Sequence, residues 1–188
     1  MKVAVEHITA PCRGQTRNGD GVAARTTDAG TLLAVVDGLG HGPMAAEVAD
    51  RAVACLSDAP LDLGVAGIME LLHESLRGTR GAAAMLAVLK DWALVGCGVG
   101  NVELRAIGSS VPVVQSPGIL GVRVRRYNLF SSRLKPLTRL ALFSDGISAR
   151  VPIADTQRMA AREACEFIFQ GYRRPHDDAT ILVADLKE

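Results

Sequence analysis

Apolar positions in this chain gather into short unbroken runs separated by glycine, proline and charged residues. Leu32-Leu33-Ala34-Val35-Val36, Leu140-Ala141-Leu142-Phe143 and Ile181-Leu182-Val183-Ala184 are typical. Runs of this length, bounded by turn-forming residues, read as buried strands. The pattern predicts strands over 2–9, 22–27, 31–36, 82–89, 92–99, 102–107, 123–129, 137–144 and 179–186. Helical spacing predicts three helices, over 43–57, 64–76 and 155–169. Pro43 suits the first position of the first helix, whose inward stripe is Met44, Val48, Ala52 and Leu56. The second carries Val65, Ile68, Leu71, Leu72 and Leu76. Lys90-Asp91 and Gly100-Asn101 are tight connectors, so the strands on either side of each are expected to pair antiparallel. Residues 108–121, rich in Gly, Pro and Ser, read as a loop with one short strand.

Many antiparallel strands with helices in separate blocks give an α+β fold. Nearly continuous apolar strands imply burial on both faces. The expected architecture is therefore a four-layer αββα sandwich, two antiparallel sheets flanked by helices. The length of 188 residues suggests one domain over 1–188, and 48% hydrophobic residues are enough for a substantial core.

Charge is nearly balanced, 21 basic against 20 acidic residues, which gives no global attraction to nucleic acid or anionic membrane. Aromatic residues make up 4%, too few for a base-stacking surface. The short arginine clusters at Arg123-Val124-Arg125-Arg126 and Arg173-Arg174 read as solvated surface or as a local protein-docking patch. Cys12, Cys55, Cys97 and Cys165 form no C-x-x-C pair, and a domain of this size needs no disulfide. Reduced cysteines, a first segment that reads as a strand and no run of membrane-spanning length lead to the expectation of a cytoplasmic protein.

The chemistry lies where the apolar runs end. Val36 runs into Asp37, within Asp37-Gly38-Leu39-Gly40-His41-Gly42; Phe143 runs into Ser144-Asp145-Gly146; His176-Asp177-Asp178 precedes the last strand. Asp20, in Asn18-Gly19-Asp20-Gly21, is a fourth acidic position. Acids at strand ends can converge from distant sequence. Two unit charges about 4 Å apart cost ~4 kcal/mol at an effective dielectric of about 20. Hard divalent cations held by oxygen ligands resolve such repulsion, and a pair of them forms a phosphate-cleaving centre. Asp37 is expected to bridge two cations, with the Gly38 carbonyl as a further ligand. Adjacent acids entering a strand point to opposite faces, and of the pair Asp177 is taken as the ligand and Asp178 as structural. His41 reads equally as a general acid for a leaving group or as a hydrogen-bonding loop residue. His7 and His73 read as structural. The glycines spell G-x-G-x-G, not a dinucleotide fingerprint, and no phosphate-binding G-x-x-x-x-G-K-[ST] loop is present.

Gly19-Asp20, Asp37-Gly38-Leu39-Gly40-His41-Gly42, Ser144-Asp145-Gly146 and Asp177-Asp178-Ala179-Thr180 occur in that order, with the likeness running from about residue 14 to 186. Together they resemble the SpoIIE-like branch of the metal-dependent type 2C protein phosphatases. Within it, the Val36–Gly42 form and the short chain are similar to the stressosome feedback phosphatases. The resemblance implies a dimanganese or dimagnesium centre held by Asp20, Asp37, Gly38, Asp145 and Asp177. It implies hydrolysis of phosphoserine or phosphothreonine in a protein by direct attack of a metal-bridging water, and phosphorylated STAS-domain regulatory proteins as partners. Gly21-Val22 stands where the family often has aromatic residues after Gly-Asp. Arg13 and Arg17 are candidates for a phosphate contact by proximity alone. The stretch between Gly146 and Asp177 is too short for a large flap. Two other readings are a hydrolase of a different phosphate ester and a non-catalytic regulatory binding module on the same fold.

Overall fold

The computed structural model describes Met1–Glu188. The chain opens with β1 (Lys2–Ala10), β2 (Asp20–Thr27) and β3 (Gly30–Gly38), then α1 (Pro43–Asp58), a 3-10 turn and α2 (Gly64–Ser75). β4 (Ala82–Lys90), β5 (Ala93–Val99) and β6 (Glu103–Ile107) follow, and then the short strands β7 (Gln115–Ser116), β8 (Gly118–Ile119) and β9 (Arg123–Val124). β10 (Leu129–Arg133), β11 (Arg139–Phe143), α3 (Ala161–Tyr172) and β12 (Ala179–Lys187) complete it.

One sheet has the order β1-β12-β11-β6 and the other β10-β5-β4-β3-β2, with β7 added parallel to β5. Side-chain alternation divides the core into layers. On β3, Leu33 and Val35 point between the sheets, where they meet Leu140, Leu142, Leu182 and Leu186 of β11 and β12. Leu32, Ala34 and Val36 point outward against Val48, Ala52 and Leu56 of α1 and Ile68 and Leu72 of α2. Ala141, Ile181 and Val183 point away on the other side, under Ala164, Cys165 and Ile168 of α3. Helices cover both outer faces, which is the four-layer sandwich expected. The four cysteines are free thiols.

Several local expectations are corrected. β5 and β6 do not pair: β6 joins β11 in the other sheet. Residues 100–102 cross between the sheets, with Gly100 at φ 87° against Ala83 and Val102 buried in the central layer. The strand expected over 123–129 is split, because Asn128 binds Ser116 and Gln115 of β7 through its backbone N–H and side chain. The third helix starts at Ala161, after a 3-10 turn over Ile153–Thr156; the Glu163 carboxylate accepts the Ala160 N–H and caps it. Met44, assigned to the inward stripe of α1, is 58% exposed, and Leu71 is also exposed.

Candidate metal centre

The acidic positions meet at one end of the interface between the sheets. Asp20 and Asp37 are cross-strand partners on β2 and β3. Both lie on the inter-sheet face by alternation from Val22 and Val35. Ser144 and Thr180 occupy the same face at the ends of β11 and β12, joined by Ser144 N–H to the Thr180 carbonyl at 3.1 Å. The Ser144 hydroxyl donates to Asp20 Oδ2 at 2.6 Å and accepts the Thr180 N–H at 3.0 Å. It thereby clamps Asp20 to the opposite sheet. Asp20 Oδ1 is buried and has no hydrogen-bond partner.

A cavity of about 280 Å³ opens beside this pair. Asp37, Asp145 and Asp177 line it, with Leu39, Gly40, His41, Ala83 and Asn101. Asn101 Nδ2 donates to Asp145 Oδ2 at 2.6 Å, a contact made possible by the crossover that carries Asn101 to this rim. Gly146 is required by close approach: a Cβ there would lie 1.9 Å from the Asp178 carbonyl oxygen.

The two adjacent acids part company in the turn before β12. Asp177 faces the cavity. Asp178 is buried and accepts the Cys12 N–H at 2.7 Å and the Gly19 N–H at 2.9 Å, so it fastens the loop carrying Asp20 to the last strand. His73 is buried and accepts the Gly121 N–H at 3.0 Å, while His7 is exposed.

The electrostatics are those of crowded, poorly compensated carboxylates. Burial pushes Asp37 up to about 8, with the charges of Asp20, Asp145, Asp177 and Asp178 adding to the rise. Burial pushes Asp20 up to about 7, opposed by the Ser144 hydrogen bond and the polar Thr180 side chain, with Asp178 and Asp145 adding to the rise. Burial and then Asp177 also raise Asp145, opposed by Arg174 and the Asn101 bond. No three acidic, His or Cys side chains stand at ready-made ligand spacing. The donor chemistry still fits a hard cation. The set is all oxygen, one buried carboxylate oxygen is orphaned, and the protons these acids retain are what a divalent ion would displace.

Of the arginines picked out in the sequence, Arg17 is tied to Asp50 at 2.5 Å. Arg173 is half-buried, stacked 5.1 Å from the Phe169 ring centroid and bonded to the Pro11 carbonyl. Arg13, Arg123, Arg125, Arg126 and Arg174 are exposed. Sequence reasoning passed over Asn101 and the clamping role of Ser144. The Gly-Asn pair read as a plain hairpin turn, and Ser144 as part of the motif around Asp145.

No protein-family model matches the chain, and no curated protein sequence does. Solved structures do. A chain from work on the bacterial stressosome, a modular system adapted to control secondary messenger signalling, superposes with a TM-score of 0.90 at 30% identity, over 98% of this chain and 100% of that one. RsbX in complex with magnesium gives a TM-score of 0.82 at 20% identity, over 98% and 96%. The Mycobacterium tuberculosis serine/threonine phosphatase PstP gives 0.77 at 16% identity, over 99% of both chains.

Proposed function

We propose that this chain, which belongs to the PP2C phosphatase family, is a divalent-metal-dependent phosphatase of phosphoserine and phosphothreonine in a regulatory protein. The observation that carries this reading is the carboxylate group around the 280 Å³ cavity, where Asp37 is raised to about 8 amid four other acids. A purely structural site gains nothing from such repulsion, and a cation site requires it. The magnesium complex of RsbX supports a hard cation here by likeness of fold. The stressosome origin of the 30% identical chain supports a stressosome-type substrate, for which a phosphorylated STAS-domain protein is the specific choice.

In this reading Asp37 would be shared between two cations, Mn²⁺ or Mg²⁺. The Gly38 carbonyl, Asp20, Asp145 and Asp177 would complete their ligand sets. Bound there, the ions would lower the pKa of water and offset phosphate charge. The chain's own residues have separate tasks. Ser144 holds one oxygen of Asp20 and leaves the other free. Asn101 fixes the rotamer of Asp145. His41, exposed on the cavity wall, would deliver its imidazole proton to the seryl or threonyl oxygen as it leaves. Asp178 holds the Asp20 loop in place without touching substrate.

The test compares phosphate release from a phosphorylated STAS-domain protein with hydrolysis of p-nitrophenyl phosphate, both in Mn²⁺. A much higher kcat/KM on the protein is expected. Higher efficiency on the small ester would assign the site to another phosphate ester. No release from either would leave a binding module.

A further inference from the structure

We propose that the groove between α1 and the turn preceding β4 is a docking track for an acidic segment of the phosphoprotein substrate, held by Arg51 and Arg80. The proposal rests on the phosphatase reading above and names what flanks the phosphoresidue. Met44, Glu47, Val48 and Arg51 are spaced i, i+3, i+4 and i+7, so they share one face of α1. That face and the Gly78–Arg80 turn enclose about 530 Å³. The exposure of Met44 at the helix start, against its expected place in the core, gives the groove an apolar contact.

The charges decide the occupant. Arg17, Arg77, Arg105, Arg139 and Arg162 each pair with a carboxylate of this chain. Arg51 and Arg80 pair with none, and Glu47, although it lines the same groove, lies within ion-pair distance of neither. Two exposed guanidinium groups facing one groove lack a carboxylate partner, and their fork geometry matches one.

The groove also leads to the chemistry. Arg80 Nη1 reaches the Leu39 carbonyl at 3.4 Å across Gly40, and a Cβ at Gly40 would lie 2.8 Å from that nitrogen. Leu39 and Gly40 are themselves part of the wall of the Asp37 cavity. A polypeptide leaving the cavity over Gly40 therefore meets Arg80 first and Arg51 beyond it. Such flanking contacts supply binding energy that a small ester cannot use.

The test uses two fluorescein-labelled peptides built around a non-hydrolysable phosphonate analogue of phosphoserine, one flanked by Asp and Glu, the other by Lys. Fluorescence anisotropy with the full chain in Mn²⁺ reads their affinities. The wild type is expected to favour the acidic peptide about tenfold. Arg51→Glu should reverse that order, while Arg51→Lys keeps it, which separates charge from misfolding. The track is overturned if the wild type binds both peptides equally or if Arg51→Glu keeps the wild-type preference. It is also overturned if the groove instead closes against a second copy of the chain in sedimentation and binds neither peptide. A reversed preference in a protein that releases no phosphate from any phosphoprotein would keep the track and remove the phosphatase reading.

Discussion

Replacing Asp37 with Asn should stabilise the metal-free protein while removing its proposed activity. The Asp37 carboxyl is raised from 3.8 to about 8 in the fold, roughly four units. At about 1.36 kcal/mol per unit the ceiling is ~6 kcal/mol, and sharing the repulsion among coupled acids brings it to roughly 3 kcal/mol. The folded state holds this proton more tightly than the unfolded chain does. The associated stability is therefore complete below about pH 4 and is lost as pH rises toward about 8. Asn carries no such dependence. In EDTA, urea unfolding should show Asp37→Asn about equal to wild type at pH 4 and ~3 kcal/mol more stable at pH 8. Added Mn²⁺ should invert the comparison at pH 8. Wild type gains ~4.1 kcal/mol at a thousandfold excess over its dissociation constant, which exceeds the ~3 kcal/mol gap, and the variant gains far less. A variant no more stable than wild type in EDTA at pH 8 would refute the claim that this carboxylate is held against repulsion and burial.

The other acids should separate by role. Asp177→Ala should weaken Mn²⁺ binding in calorimetry at least tenfold with little loss of thermal stability, because Asp177 lines the cavity. Asp178→Ala should retain more of the cation affinity but lose about 3 kcal/mol in urea unfolding, because it strips the acceptor from the Cys12 and Gly19 N–H groups. The opposite pattern would exchange their assignments. Asn101→Ala frees Asp145 from its one side-chain hydrogen bond and should weaken Mn²⁺ about 10- to 100-fold with unchanged stability; unaltered cation affinity would remove Asn101 as a positioning residue.

The layers and the acidic rim were legible because the signals coincide. Each long apolar run is a strand buried on both faces, and the acid that ends it falls where the sheets stop. Alternation also explains why Asp20 and Asp37 share a face. It fails at Asp177-Asp178, where strict alternation puts Asp178 on the inter-sheet face and only the preceding turn brings Asp177 to the cavity. The crossover at Gly100-Asn101 was not legible, since a hairpin turn and a step between sheets ask for the same two residues. What distinguishes them is the burial of Val102, a tertiary fact. Met44 was misplaced for a related reason: helical spacing marks a stripe but not where its covering sheet ends. Arg80 lies about forty residues from Gly40 in sequence, and nothing local links them.

In the proposed function these carboxylates hold cations needed to release phosphate from a protein. Phosphate release from a phosphorylated STAS-domain protein tests it most directly, measured for wild type in Mn²⁺, for wild type in excess EDTA, and for Asp37→Asn in Mn²⁺. Release is expected in the first case only. Continued release in EDTA after verified metal removal, or release by Asp37→Asn at the wild-type rate, would contradict it.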